Sequence, residues 1–104
     1  MRKDQQNPKT RITNQFHNTE GMVYELRCDG IAVVISMVDL ETEWKATAIA
    51  KVPPDRVAAT GAGRNGAQAF SALREAWCAQ REGAPFPRLD WEAIQQALST
   101  VRAI

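Results

Sequence analysis

The chain has 104 residues, of which 44% are apolar and 24% are charged, and its formal net charge is +1. This length supports one domain with one modest core. No apolar run approaches the ~20 residues that cross a bilayer, and no apolar secretory segment follows the basic start, so we expect a cytoplasmic protein with no membrane partner. The near-neutral balance argues against a dedicated nucleic-acid binder, although the basic segment 45–81 is expected to form a local positive patch.

The first part of the chain, residues 1–19, is predicted to be a flexible polar and basic tail, and residues 20–104 a single domain. The tail is rich in Gln, Asn, Lys and Arg and has too few apolar residues to form a core. His17 is the only histidine in the chain. It has no surrounding cluster of Cys or His residues, so no metal site is predicted.

Three strands are predicted next. Apolar and polar residues alternate through 21–28, and Asp29-Gly30 follows, a dipeptide typical of a two-residue hairpin turn because both of its residues tolerate positive φ. The turn fixes the register of the second strand, 31–38, so that apolar residues face each other. A third strand is predicted over 43–51, with inner-face alanines that let a helix approach closely. The expected cross-strand pairs are Leu26–Val33, Tyr24–Ile35 and Met22–Met37.

Two helices complete the predicted fold. Val52-Pro53-Pro54-Asp55 ends the third strand, and a loop leads through Arg56 to a glycine-rich turn. Asn65 caps the first helix, with Gln68 at the capping-box position, and Asp90 caps the second. The fold class is therefore α+β: a three-stranded antiparallel meander packed with two C-terminal helices, in the order β-β-β-α-α. The expected apolar stripes are Ala69, Phe70, Leu73, Ala76 and Trp77 on the first helix, and Trp91, Ile94, Leu98 and Val101 on the second.

The glycine-rich turn matches the dinucleotide pattern GxGxxG from Gly61 to Gly66. That pattern binds a pyrophosphate only when a strand runs into the turn and a second strand follows the helix. Neither condition is predicted here, so no cofactor is expected. A smaller anion site remains open, built from the backbone amides at Gly63 and the side chain of Arg64 beside the helix start.

The same stretch resembles the double-stranded RNA-binding domains, in which three antiparallel strands precede a loop and helix of the form GxGRSKKxAKxxAAxxAL. Gly61, Gly63, Arg64, Ala69 and Ala72 carry the resemblance. It implies a similar architecture over about residues 20–80. The positions of the family's phosphate-binding lysines are occupied by non-basic residues, so the resemblance does not carry over those RNA contacts. These positions are Gly66, Ala67 and Phe70.

No catalytic grouping is evident, and we expect a non-catalytic binding module rather than an enzyme. The leading hypothesis is binding of a protein partner or of a second copy through apolar residues on the outer side of the sheet: Val23, Val34, Val38 and Ile49. The alternative is nucleic-acid binding through the basic tail and the segment 45–64, with these contact residues: Lys45, Lys51, Arg56, Gly63 and Arg64. A strongly salt-dependent affinity would distinguish the second hypothesis from the first.

Overall fold

The computed structural model describes residues 10–17, 21–52, 55–80 and 86–101. In these residues five strands precede two helices. The strands form one antiparallel sheet in chain order, so each strand pairs with the next. The elements are β1 (Thr10–His17), β2 (Gly21–Cys28), β3 (Ile31–Asp39), β4 (Trp44–Val52), β5 (Asp55–Gly63), α1 (Gly66–Gln80) and α2 (Trp91–Thr100).

The sheet corrects the predicted meander. The α+β class agrees with the structure, but the three predicted strands are only the middle three of five. β1 occupies residues that we expected in the tail, whereas residues 1–9 lie outside the described part. The sequence did not predict β1, because Ile12 is its single large apolar residue packed on the core. A bulge between Ile12 and Asn14 also interrupts the alternation of apolar and polar residues.

β5 is the second strand that the sequence did not predict, and it replaces the expected loop. It lacks the β-branched and aromatic pattern of a strand, because its inward positions become smaller towards its end. Those positions are occupied by Val57, Ala59, Gly61 and Gly63. The glycines therefore mark a close approach between this strand and α1 rather than an irregular loop.

The β2–β3 hairpin is confirmed in detail. Asp29 and Gly30 have φ values of 53° and 87°, as a turn with two left-handed residues requires. The three predicted apolar pairs occur in the register of the two strands. All six of their side chains except that of Met22 are buried, and this places one face of the sheet, the inner face, in the core.

The side chains on the inner face differ in size from strand to strand, and this difference determines where the helices lie. β2 and β3 contribute large side chains such as Tyr24 and Ile35, whereas β4 contributes Ala46, Ala48 and Ala50. α1 therefore packs closely over β4 and β5, and α2 packs on the same face at the other end of the sheet, near β1. Both helices cover the inner face, and no described element packs on the opposite, outer face.

The predicted helix starts are confirmed. The Gln68 amide donates to Asn65 Oδ1 at 2.8 Å, and the Ala93 amide donates to Asp90 Oδ1 at 3.1 Å. An aromatic cluster joins the helices, with the Trp91 ring in edge contact with Phe70 and with Trp77. The Trp77 indole also donates to the Pro87 carbonyl at 3.0 Å, which ties α1 to the segment before α2.

Candidate functional site

The outer face carries a line of cations that crosses the whole sheet. Arg11 lies opposite Arg27, and Lys51 lies opposite Arg56, with Ala32 between the two pairs. We call this line the basic row. Each of its four cations is exposed. The strand register alone brings them together, since they are spread over 45 positions of sequence, from residue 11 to residue 56.

The basic row is unfavourable for folding. Like charges directly opposite each other on neighbouring strands destabilise a sheet. Within the described part of the chain, no ion pair relieves any of the four, and the one side-chain hydrogen bond among them runs from Arg27 Nη1 to the Gly30 carbonyl at 3.5 Å. The sheet therefore gains no evident stability from placing four cations in one line.

Charge is separated between the two sides of the molecule. Besides the basic row, the outer face of the described strands carries Lys45 and a single carboxylate, Glu25. Five cations against one anion give that face a charge of +4, although the whole chain carries only +1. The other carboxylates with described side chains are in turns or on the helical side of the sheet: Asp29, Asp39, Glu41, Glu43, Glu75, Asp90 and Glu92.

An apolar strip runs beside the basic row on the same face. Val34 lies opposite Ile49, two residues along their strands from Ala32 and Lys51. Val23 and Val38 extend the strip diagonally, and all four of these side chains are half-buried. Phe16, opposite Val23, ends the strip at the β1 edge and is 50% exposed, which is unusual for a ring on a folded sheet.

Two further features complete this surface. Ser36, Thr47 and Thr60 form a hydroxyl row that continues the line of Phe16 and Val23 across the sheet, and the two threonine oxygens are 3.3 Å apart. A shallow hollow of about 310 Å³ lies over the basic row, on the same outer face. Its lining combines three cations of the basic row, Arg11, Arg27 and Lys51, with Thr13, Glu25 and Val34.

The glycine-rich turn before α1 has a packing role. A Cβ atom at Gly63 would lie 2.5 Å from Gln68 Cβ and 2.6 Å from the Ala69 amide nitrogen. Two amides near the helix start are used within the chain: the Gln68 amide donates to Asn65 Oδ1, and the Arg64 amide donates to Gln68 Oε1 at 3.0 Å. The Arg64 amide is therefore occupied, and the anion site at Gly63 and Arg64 stays a prediction.

The two cysteines differ in environment. Cys28 is buried on the inner face, and burial raises the pKa of its thiol to about 11, whereas Cys78 is exposed on α1. Neither forms a disulfide. Among the described residues, no group of three or more His, Cys, Asp and Glu side chains is placed to hold a metal ion.

The predicted contact residues are brought together in part. Lys45, Lys51 and Arg56 share the outer face with the predicted interface valines, so both hypotheses concern one surface. Arg11 and Arg27 were not predicted as site residues, because their alignment with Lys51 depends on the pairing of β1 and β4. The β2–β3 hairpin register, which was predicted, already placed Arg27 opposite Ala32 and was the one usable signal.

Comparisons of the chain with protein-family models, with curated proteins and with solved structures find no match. No helix in the described residues is long and apolar enough to cross a membrane. What the protein binds is therefore inferred from the chemistry of its surface, and the outer face is where charge, apolar area and hydroxyl groups are concentrated.

Proposed function

We propose that the protein is a non-catalytic module that binds nucleic acid through the outer face of its sheet. The observation that carries the proposal is the basic row. Arg and Lys side chains are the usual donors to phosphate oxygens, and such contacts supply most of the affinity for nucleic acid. The unpaired cations weaken the sheet because they repel each other. A line of bound anions would offset this repulsion, which explains why the cations are placed together.

The dimensions of the basic row suit an extended polyanion. Neighbouring strands are about 4.8 Å apart, so the four steps from Arg11 to Arg56 cover roughly 19 Å. A small anion would occupy only one pair of cations at a time. A phosphodiester backbone laid across the strands presents a charge to each pair, and this favours a polymer over a metabolite.

Self-association through the apolar strip is the competing hypothesis. Face-to-face packing of two copies would bring two surfaces of charge +4 together and desolvate their cations, which is costly without compensating anions. The strip is also interrupted by Ser36 and Thr47 on the same face. Charge therefore favours a polyanionic ligand over a second copy of this chain.

The test is fluorescence anisotropy with labelled oligonucleotides at about 50 mM salt. We expect the double variant R27Q/K51Q to lose at least tenfold in affinity. The control R74Q/R88Q removes the same charge from the helical side and should retain the affinity of the parent protein. Equal losses in both variants, or no binding by the parent protein, would contradict the proposal.

Light scattering on the same samples tests the competing hypothesis of self-association, because it shows whether the protein is a monomer or a dimer. A monomer that binds oligonucleotide supports the nucleic-acid interface. A dimer that dissociates when Val34 and Ile49 are replaced by Thr, and that binds no oligonucleotide, would instead assign the outer face to self-association.

A further inference from the structure

We infer that the ligand is single-stranded nucleic acid, with its phosphates on the basic row and its bases on the apolar strip. This inference rests on the proposed function and specifies its substrate class. It follows from the placement of the two rows beside each other, because the basic row alone does not distinguish a single strand from a duplex.

The offset between the two rows matches the dimensions of one nucleotide. Two residues along a strand separate Lys51 from Ile49, and the same step separates Ala32 from Val34. That step is about 6.6 Å, comparable to the reach from a phosphate to its own base. A backbone that follows the basic row therefore places its bases over Val34 and Ile49, and over Glu25 where it crosses β2, because Glu25 lies opposite Val34.

A duplex would leave the apolar strip unused. Paired bases are stacked on each other and expose only their edges within the grooves, whereas unpaired bases expose their faces. The outer face is a broad sheet surface and offers no described helix or ribbon that projects into a groove. Half-buried valines and an isoleucine beside a line of cations suit a ligand that brings apolar faces together with phosphates.

Phe16 provides a stacking surface at one end of the strip, one two-residue step farther from the basic row than Val34 and Ile49, because it pairs with Val23 rather than with Glu25. Its ring is half exposed on the edge strand, where it faces Val23. Aromatic stacking tolerates any base, because every base has a π face. The same cross-strand line continues from Val23 to the hydroxyls of Ser36, Thr47 and Thr60, which can donate to or accept from base edges.

The test compares three labelled probes of about 12 nucleotides, a length within the range bound by single-strand modules. The probes are an oligothymidylate, a duplex of the same length, and a single strand of abasic sites that has the phosphates but no bases. We expect the oligothymidylate to bind at least tenfold more tightly than either of the other two.

Substitutions then assign the contacts. F16A should weaken oligothymidylate binding by fivefold or more and leave abasic binding unchanged, and V34T, which keeps the side-chain shape, should act in the same direction. R27Q should weaken the binding of all three probes. Circular dichroism of each variant checks the fold, and the abasic comparison needs no variant at all.

The outcomes separate this inference from the proposed function. Equal affinity for oligothymidylate and the abasic strand, or tighter binding of the duplex, would overturn the single-strand inference while nucleic-acid binding stands. Failure of all three probes to bind would overturn the proposed function itself. A base-dependent affinity that F16A does not change would remove Phe16 from the stacking surface and overturn that part of the assignment.

Discussion

Replacing Gly61 by Ala tests the contact on which the fold depends most directly. A Cβ atom at this position would lie 2.5 Å from the Ala72 carbonyl carbon and 2.7 Å from Leu73 Cα. Both are backbone atoms of α1, so no side-chain rotation can relieve the overlap. The helix must move away from β5, and its buried residues Leu73 and Trp77 must move with it.

A Gly→Ala substitution in a strand normally raises the free energy of unfolding, whereas at Gly61 we expect it to fall. Gly in a strand interior is normally less stable than Ala by roughly 0.5–1 kcal/mol, so an unobstructed Gly61→Ala would raise stability. Overpacking a core costs about 1–3 kcal/mol, and here the obstructing atoms are rigid. We therefore expect a net loss of about 2 kcal/mol.

Thermal and urea unfolding measure this loss. For a domain of this size, 1 kcal/mol corresponds to roughly 4–8 °C, so the midpoint should fall by about 10 °C. A62V is the matched control, because it enlarges the neighbouring residue, which is exposed on the outer face of the same strand. A midpoint for G61A equal to or above that of the parent protein would refute the close approach of α1 and β5.

Four further predictions concern charge, capping, thiol reactivity and the pH dependence of stability. If four phosphates contact the basic row, the logarithm of single-strand affinity should fall with the logarithm of salt with a slope of about −2.8, and K51Q should reduce it to about −2.1, as measured by anisotropy titrations. D90A removes the cap of α2 and should lower the free energy of unfolding by about 1 kcal/mol in urea titrations. A thiol reagent at mildly alkaline pH should label Cys78 in the folded protein and both cysteines after denaturation. Because the folded Cys28 thiol ionises near 11 rather than near its ordinary 9, stability should be unaffected below pH ~9 and should decline as pH rises towards 11, as measured by unfolding at a series of pH values.

The parts of the fold that were predictable depend on strong local signals. Asp29-Gly30 fixes the β2–β3 register because few other dipeptides allow two positive φ values in succession. Asn65 and Asp90 mark helix starts through side-chain bonds to amides three residues later. In each case the information lies within a few residues, so no tertiary context was needed to interpret it.

The edge strands were not predictable for the opposite reason. β1 is specified by its pairing with β2 and by the inward contact of Ile12, and most of its other side chains remain exposed, so its composition resembles that of a tail. β5 is specified by the helix that lies on it, which requires Gly61 and Gly63 where a strand pattern would place larger residues. Both depend on partners distant in sequence.

The candidate site was likewise only partly predictable, because it depends on residues that are distant in sequence. Lys45, Lys51 and Arg56 were recognised from a locally basic segment, but the basic row also needs Arg11 and Arg27, which join it only through the register of five strands. The net charge of +1 does not reveal the positive outer face because it averages over both sides of the molecule. A sheet covered on one side concentrates every second residue on the other, so charge has to be counted for each face.

This alternation also separates stability from binding. In β4 the inner positions are Ala46, Ala48 and Ala50, which admit α1, and the intervening outer positions are Lys45, Thr47, Ile49 and Lys51. The residues that hold the helix and the residues of the proposed binding surface are therefore different members of one strand. Substitutions in the basic row should change affinity while the unfolding midpoint stays equal or rises, since they relieve repulsion between Lys51 and Arg56.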